Sequence, residues 1–253
     1  MIEWSKLQDA YGPADAVPAL LAALDPDPAA EVWTELWSRI CHQGTVYSAS
    51  YPALPALLDA ARGWAPPARV MPVSLAATIL ASPQTGADER ARYAALAAEL
   101  RSLAADSLRA PVLSRADIVC LQQAVLLLDG EPWAEQYDRL LSGELDGQCP
   151  ACATDLMIVI GEYGFFVIDQ EWIHGHNERA APIAPAELAE LANPADPASS
   201  DDPAGLPSVG EWLWQGARRH DDAELQAWIA HLFGRGRCPA CAAQWPVLDA
   251  VSA

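Results

Sequence analysis

One tetrapeptide occurs twice, as Cys149-Pro-Ala-Cys152 and Cys238-Pro-Ala-Cys241, and no other feature narrows the folds open to this chain so sharply. A Cys-x-x-Cys turn presents two thiolates to one point. Two such turns supply the four soft ligands of a closed tetrahedral site, the form structural zinc takes. Cys149, Cys152, Cys238 and Cys241 are therefore the expected ligands of one structural Zn2+ per chain, with iron or copper chemically open as substitutes. The gap between the two turns holds 85 residues, far more than in a compact zinc ribbon. Loop closure grows costlier only slowly with length, whereas structural zinc binding is worth on the order of 10–16 kcal/mol, so the long gap is no obstacle.

Other uses of the cysteines weigh less. Disulfides suit exported chains, and Met1-Ile2-Glu3-Trp4-Ser5-Lys6 lacks the basic flank and apolar run of a signal peptide. A thioredoxin-like motif would be a single Cys-x-x-Cys in a βαβ setting. Cys41 and Cys120 sit at core spacing on apolar helices and are expected to be buried thiols. His174-Gly-His176 is a further candidate metal pair, and His231 lies just ahead of the second turn.

Around these turns the chain reads as mainly α. Val32, Trp33, Leu36, Trp37 and Ile40 recur at helical spacing, with Glu31, Thr34, Glu35, Ser38 and Arg39 opposite. Residues 115–128 are apolar on nearly every face and predict a helix packed on two sides. Ala16-Val-Pro-Ala-Leu-Leu21 returns as Ala53-Leu-Pro-Ala-Leu-Leu58 after 37 residues; Tyr51–Leu58 returns at Tyr93–Leu100 after 42, and faintly at Tyr137–Leu141 after a further 44. Helix pairs recurring every ~40 residues are the pattern of a HEAT-like α-solenoid of antiparallel pairs. We expect that solenoid over residues 1–145 and a zinc-ribbon module over 146–253. Within the module, Asp155–Ile160 and Phe165–Ile168 around Gly161-Glu-Tyr-Gly164 predict a β-hairpin over about 155–168. Six prolines between 177 and 207 predict a surface insertion, in which Pro185–Leu191 has the spacing of one short helix. Helices are expected over about 208–234, where Leu225, Trp228, Ile229, Leu232 and Phe233 form an apolar stripe, and the tail of the module is a C-terminal helix pinned to the hairpin.

Arg39-Ile-Cys-His-Gln-Gly-Thr-Val-Tyr-Ser-Ala-Ser-Tyr-Pro-Ala-Leu-Pro55 resembles the helix junction of a poorly characterised group of bacterial HEAT-repeat proteins. Trp4, Tyr11-Gly12, Val17–Leu21, Cys149–Cys152, Ile160–Phe166 and Trp172 fit the same group. The resemblance implies a helical-repeat fold and no particular activity. Read physically, His42-Gln43-Gly44-Thr45 is a helix end and a new start, with Gly44 left-handed and Thr45 capping the next helix. His42, Gln43, Thr45 and Tyr47 are also the candidates for binding a ligand at that turn.

Function is constrained mostly by charge. With 34 acidic residues against 15 Lys+Arg, the net charge of −19 disfavours phosphate backbones and anionic lipid, so neither nucleic acid nor membrane is an expected partner. No apolar run is long enough to span a bilayer, and a cytoplasmic protein is expected. The chain holds no phosphate-binding loop, no Gly-x-Ser-x-Gly elbow, no His-Glu-x-x-His and no dinucleotide fingerprint. A non-enzymatic interaction scaffold or adaptor for a basic protein or peptide is the expected role, an immunity-type binder of a basic protein among its forms. Metal handling and an enzyme of unfamiliar chemistry are the alternatives.

Overall fold

A computed structural model describes residues 2–169, 180–188 and 209–251. His174, His176, Trp172 and most of the Pro-rich insertion lie outside the described residues. The chain divides into two compact units, Met1–Leu113 with Cys120–Glu131, and Ser114–Val119 with Pro132–Ala253. Residues 132–145 thus group with the cysteine-bearing half. The described structure is mainly α, and none of its helices is long and apolar enough to cross a membrane.

The first unit opens with a small ladder of β1 (Gln8–Asp9) and β2 (Gly12–Pro13), followed by α1 (Val17–Ala22) and α2 (Glu31–Ile40). Trp33, Leu36 and Ile40 of α2 are buried. Strands β3 (Cys41–His42) and β4 (Thr45–Val46) precede α3 (Ser50–Gly63), α4 (Val70–Ala81), α5 (Ala87–Arg92), α6 (Ala94–Ser107) and α7 (Arg115–Asp129), of which residues 120–129 belong to this unit and 115–119 to the second. Helix α4 is apolar around its whole circumference because it is the core: Val73, Leu75, Ala76, Ala77 and Ile79 have no exposed surface, and α3 and α6 pack against it and against each other. Two ion pairs of identical sequence separation lie beside this contact, Arg62 with Glu99 at 2.6 Å and Arg69 with Asp106 at 2.7 Å. On α7, Ile118, Val119, Leu121, Val125 and Leu126 are buried, and Ser114 and Asp117 cap its start reciprocally.

Two expectations change here. The repeat copies near residues 16, 53 and 93 fall on helices of six, fourteen and fourteen residues. The faint fourth copy is a 3-10 segment, Ala134–Leu141, in the other unit. Nor is His42–Thr45 a helix-to-helix junction. It is a two-residue β-hairpin in which Cys41 faces Val46 and His42 faces Thr45. Gln43 and Gly44 both take positive φ, 49° and 79°, which is the two-residue turn whose twist matches paired strands. Cys41 and Val46 are buried, so burial of this pair competes successfully with helix capping. Thr45 caps nothing; the start of α3 is tied by Ser50, whose hydroxyl donates to the Ile40 carbonyl and accepts from the Tyr47 N–H.

The second unit is built on an antiparallel sheet of order β5-β6-β7-β8: Glu144–Gln148, Asp155–Gly161, Gly164–Ile168 and Ala181–Pro182. Helices α8 (Val209–Arg219) and α9 (Ala223–Leu232) pack together, and α9 also packs on β6. A second hairpin, β9 (Arg235–Arg237) with β10 (Gln244–Pro246), leads into the short α10 (Val247–Ala250). It joins the sheet side through reciprocal backbone bonds between Ala184 and Arg235, 2.9 and 2.8 Å. Part of the expected surface insertion is therefore structural: Ala181–Pro182 is a strand, and Ile183 and Leu188 are buried.

Each unit has one ion pair that organises its polar interior. The Asp9 side chain is fully buried and accepts from Arg39 at 2.9 Å and from the Tyr11 N–H at 2.8 Å. Removing it takes from Arg39 the buried one of its two carboxylates, the exposed Glu35 at 2.7 Å being the other, so Asp9→Ala should lower the urea-unfolding free energy of the first unit by about 1–2 kcal/mol. In the second unit Asp222 caps α9 by accepting from the Leu225 N–H at 2.9 Å, and Arg115 holds it in a two-pronged grip. Burial opposes ionisation of Asp222, but Arg115 and the Leu225 N–H outweigh it and keep its carboxyl below the usual range. The stabilisation is complete above the unfolded value of about 3.9 and fades as pH falls through the lower folded value. Acid titration monitored by the Trp228 signal, over which Arg115 lies, should show that loss, and Asp222→Asn should blunt it.

Candidate metal centre

Each Cys-Pro-Ala-Cys segment forms the turn of a hairpin. The first joins β5 to β6, with Gln148 facing Asp155 as the last pair; the second joins β9 to β10, with Arg237 facing Gln244. The two turns close by the same bonds. The Cys149 N–H donates to Thr154 O and the Ala153 N–H to Cys149 O; the Cys238 N–H donates to Ala243 O and the Ala242 N–H to Cys238 O, all at 2.9 Å. In both, the residue after the second cysteine is left-handed, Ala153 at φ 56° and Ala242 at φ 61°. Backbone N–H groups then point at sulfur: Ala151 and Cys152 to Cys149, Thr154 to Cys152, Ala240 and Cys241 to Cys238, and Ala243 to Cys241.

The correspondence extends into the sequence. Asp146-Gly-Gln-Cys-Pro-Ala-Cys-Ala-Thr-Asp-Leu156 and Arg235-Gly-Arg-Cys-Pro-Ala-Cys-Ala-Ala-Gln-Trp245 agree at six of eleven positions. Glycine precedes each turn for a steric reason. A Cβ at Gly147 would lie 2.5 Å from the Ala250 carbonyl oxygen, and one at Gly236 would enter the Trp245 ring.

The turns bring all four sulfurs within 4.8 Å of one another. Cys149 Sγ lies 3.8 Å from Cys241 Sγ, and Cys152 Sγ 3.8 Å from Cys238 Sγ. Four sulfurs placed about 2.3 Å from a tetrahedral zinc ion lie about 3.8 Å apart, so the cross-turn spacing is that of a metal site. A disulfide would need about 2.05 Å, and all six cysteines are free. Cys149 and Cys238 are buried, while Cys152 and Cys241 face outward.

The four thiols cannot ionise independently. The Thr154 hydroxyl, 3.2 Å from Cys152, and the Thr154 N–H draw that thiol down to about 6. Burial opposes ionisation of Cys149, but the N–H groups of Ala151 and Cys152 prevail and lower it. Burial keeps Cys238 raised against the N–H groups around it. At Cys241 the Ala243 N–H pulls the thiol down, yet Cys152, burial and the remaining thiols push it up to about 12. A divalent cation at the centre would relieve this conflict by offsetting the accumulated negative charge.

The other candidates are placed elsewhere. His42 and Thr45 face each other across the β3–β4 ladder, and Gln43 stands exposed at its tip. His42 Nδ1 lies 3.2 Å from Ser38 O, its ring meets Tyr11 edge-on, and half-buried Tyr47 follows the hairpin. No metal-ligating partner joins His42 among the described residues. His231 stacks on Phe165 at 3.7 Å with Nδ1 2.7 Å from Ala227 O, so it packs the sheet and does not approach the sulfurs as a ligand. Cys41 is buried in β3, which pushes its thiol up to about 11 and makes it inert.

What the spacing of the cysteines did not reveal is that both turns sit in hairpins. Strand β5 and the β9–β10 pair are short and polar. The eleven-residue duplication was the available signal. Compared with protein-family models, curated proteins and solved structures, the chain matches none.

Left-handed alanine costs roughly 1–2 kcal/mol, against about 0.5–1 kcal/mol for the extra freedom glycine gives the unfolded chain. Ala153→Gly and Ala242→Gly should therefore each stabilise the metal-loaded second unit by about 0.5–1 kcal/mol in denaturant titrations, and Ala153→Val should destabilise it.

Proposed function

We propose that this chain is a non-enzymatic, zinc-containing helical-repeat protein that acts as an interaction scaffold or adaptor for a basic protein or peptide. One observation carries the metal half of the reading: four cysteine sulfurs from two equivalent hairpin turns converge within 4.8 Å, with two cross-turn separations of 3.8 Å. An all-thiolate set leaves no open coordination position for a catalytic water, so the ion is a structural staple, one Zn2+ per chain, in a ribbon-like module. The interaction half rests on the net charge of −19 and on the helical first unit, read as HEAT-like repeats of the kind found in the bacterial group described above. A strongly acidic surface accelerates capture of a basic partner and repels nucleic acid and anionic lipid. An immunity-type binder of a basic protein in the cytoplasm is one form of this role.

A metal-handling role is the second reading, and it is favoured by the outward position of Cys152 and Cys241. Exchange kinetics separate the two. A staple exchanges slowly, and its removal unfolds the module; a carried ion leaves quickly and the module survives.

Elemental analysis of purified protein should give one zinc per chain, and chelation should melt the second unit. Cys149→Ser should lose that metal and destabilise the second unit while the helical signal of the first persists. Metal-free protein with an undiminished melting transition would overturn the reading. For the scaffold, pull-down from the source cell should recover a basic protein, and recovery of nothing above background would count against it.

A further inference from the structure

We propose that the outer face of the β9–β10 ribbon is a docking surface for an extended acidic peptide segment, held by Arg235 and Arg237 with Gln244 beside them. The two hairpins are one scaffold built twice, and they differ in the charge of the face they present. On the first, the positions equivalent to Arg235, Arg237 and Gln244 are Asp146, Gln148 and Asp155, and these are satisfied internally: Asp146 pairs with Arg139 at 2.7 Å and Gln148 donates to Asp155 at 3.2 Å. On the second, Arg235 and Arg237 are exposed, and neither has an ion-pair partner among the described residues.

Arg90, Arg218 and Arg219 likewise have no carboxylate partner among the described residues, but most of the described arginines do. Carboxylates outnumber basic residues 34 to 15, and Arg39, Arg62, Arg69, Arg92, Arg101, Arg109, Arg115 and Arg139 all hold one. Arg235 and Arg237 form a same-face pair on one strand, and no carboxylate among the described residues holds either of them. The ribbon holds them rigidly. Buried Trp245 packs against Gly236 from the opposite face, which turns both flanking side chains outward. Alternate residues of a strand repeat about every 6.8 Å, and carboxylates at alternate positions of an extended peptide share that repeat. Each guanidinium can then take one carboxylate in two-pronged fashion, and the Gln244 amide is available to the peptide backbone. A short acidic segment stays within reach of the two arginines, whereas a long phosphate chain would run beyond the ribbon onto the acidic remainder.

The surface depends on the metal reading above, since the ion holds the turn that carries the ribbon; metal content measured on every sample separates failure of the two. The test uses the full metal-loaded chain and a fluorescein-labelled peptide alternating Ser and Glu, followed by anisotropy at low and moderate salt. Saturable binding is expected, weakening as salt rises. Arg235→Glu with Arg237→Glu should weaken it by about tenfold or more with metal retained. Arg235→Gln, farther from Cys238, is the second variant and should cost about threefold. Absence of saturable binding to metal-loaded protein, unchanged affinity in metal-loaded Arg235→Gln, or tighter binding of a single-stranded oligonucleotide of equal charge would each overturn the assignment.

Discussion

Four sulfurs within 4.8 Å of one another form an arrangement that the polypeptide alone has little reason to adopt. Burial, neighbouring thiols and backbone N–H groups pull their ionisation in opposite directions, a conflict that a central cation would relieve. Much of the second unit hangs on that convergence. Strands β9 and β10 have three residues each, Arg-Gly-Arg against Gln-Trp-Pro, and an isolated hairpin of that size and polarity is not stable in water. The metal reading supplies what the strands lack. Closing a gap of 85 residues instead of about 18 adds only about 1.4 kcal/mol of chain entropy, small beside the 10–16 kcal/mol typical of structural zinc.

The hairpin turn is a local solution used twice and tied into different surroundings. Its internal bonds repeat atom for atom, and the buried first cysteine and outward second cysteine repeat with them. What differs is the packing behind each preceding glycine. Gly147 lies under the end of α10, at Ala250, whereas Gly236 lies under the indole of Trp245. The first arrangement fastens the last helix to β5, so the end of the described chain is held at the same hairpin that carries Cys149 and Cys152. The second packs the ribbon from behind, and with the Ala184–Arg235 backbone bonds it holds the ribbon's side chains in fixed positions. Thr154 breaks the equivalence at the sulfurs: its hydroxyl reaches Cys152, and the matching Ala243 offers Cys241 nothing similar.

The cysteine set could be read from sequence because its spacing encodes chemistry directly, and the β6–β7 hairpin because Ile158, Val159, Ile160, Phe165, Phe166 and Val167 are apolar and rich in strand formers. The stripe on α9 was equally plain, since Leu225, Trp228, Ile229 and Leu232 are all buried. Elements whose stability comes from elsewhere were not visible. Strand β5 reads Glu-Leu-Asp-Gly-Gln, and only its partner β6 and the adjoining turn make it a strand. The β3–β4 hairpin was hidden for a different reason: Gln-Gly suits a helix end and a tight β-turn alike, and the deciding term is burial of Cys41 and Val46 across the ladder. Helix α4 carries no helical stripe because it is apolar all round, a pattern that marks a core helix only once its neighbours are known.

Net charge describes a partner for the whole molecule, and it describes a local surface poorly. At physiological ionic strength the field of an exposed charge falls away over about 8 Å, so carboxylates far from the ribbon are largely screened there, and among the described residues none pairs with its arginines. On the two readings proposed above, the same chain would draw a basic partner to its acidic bulk and hold an acidic strand on one basic edge. Pairing within the fold decides which charges remain for outside use. Asp146 and Asp155 are spent on Arg139 and Gln148, while Arg235 and Arg237 stand two residues apart on a strand stiffened from behind by Trp245. The charge that this end of the protein leaves exposed therefore follows from which hairpin satisfies its own polar face, a property that composition alone does not contain.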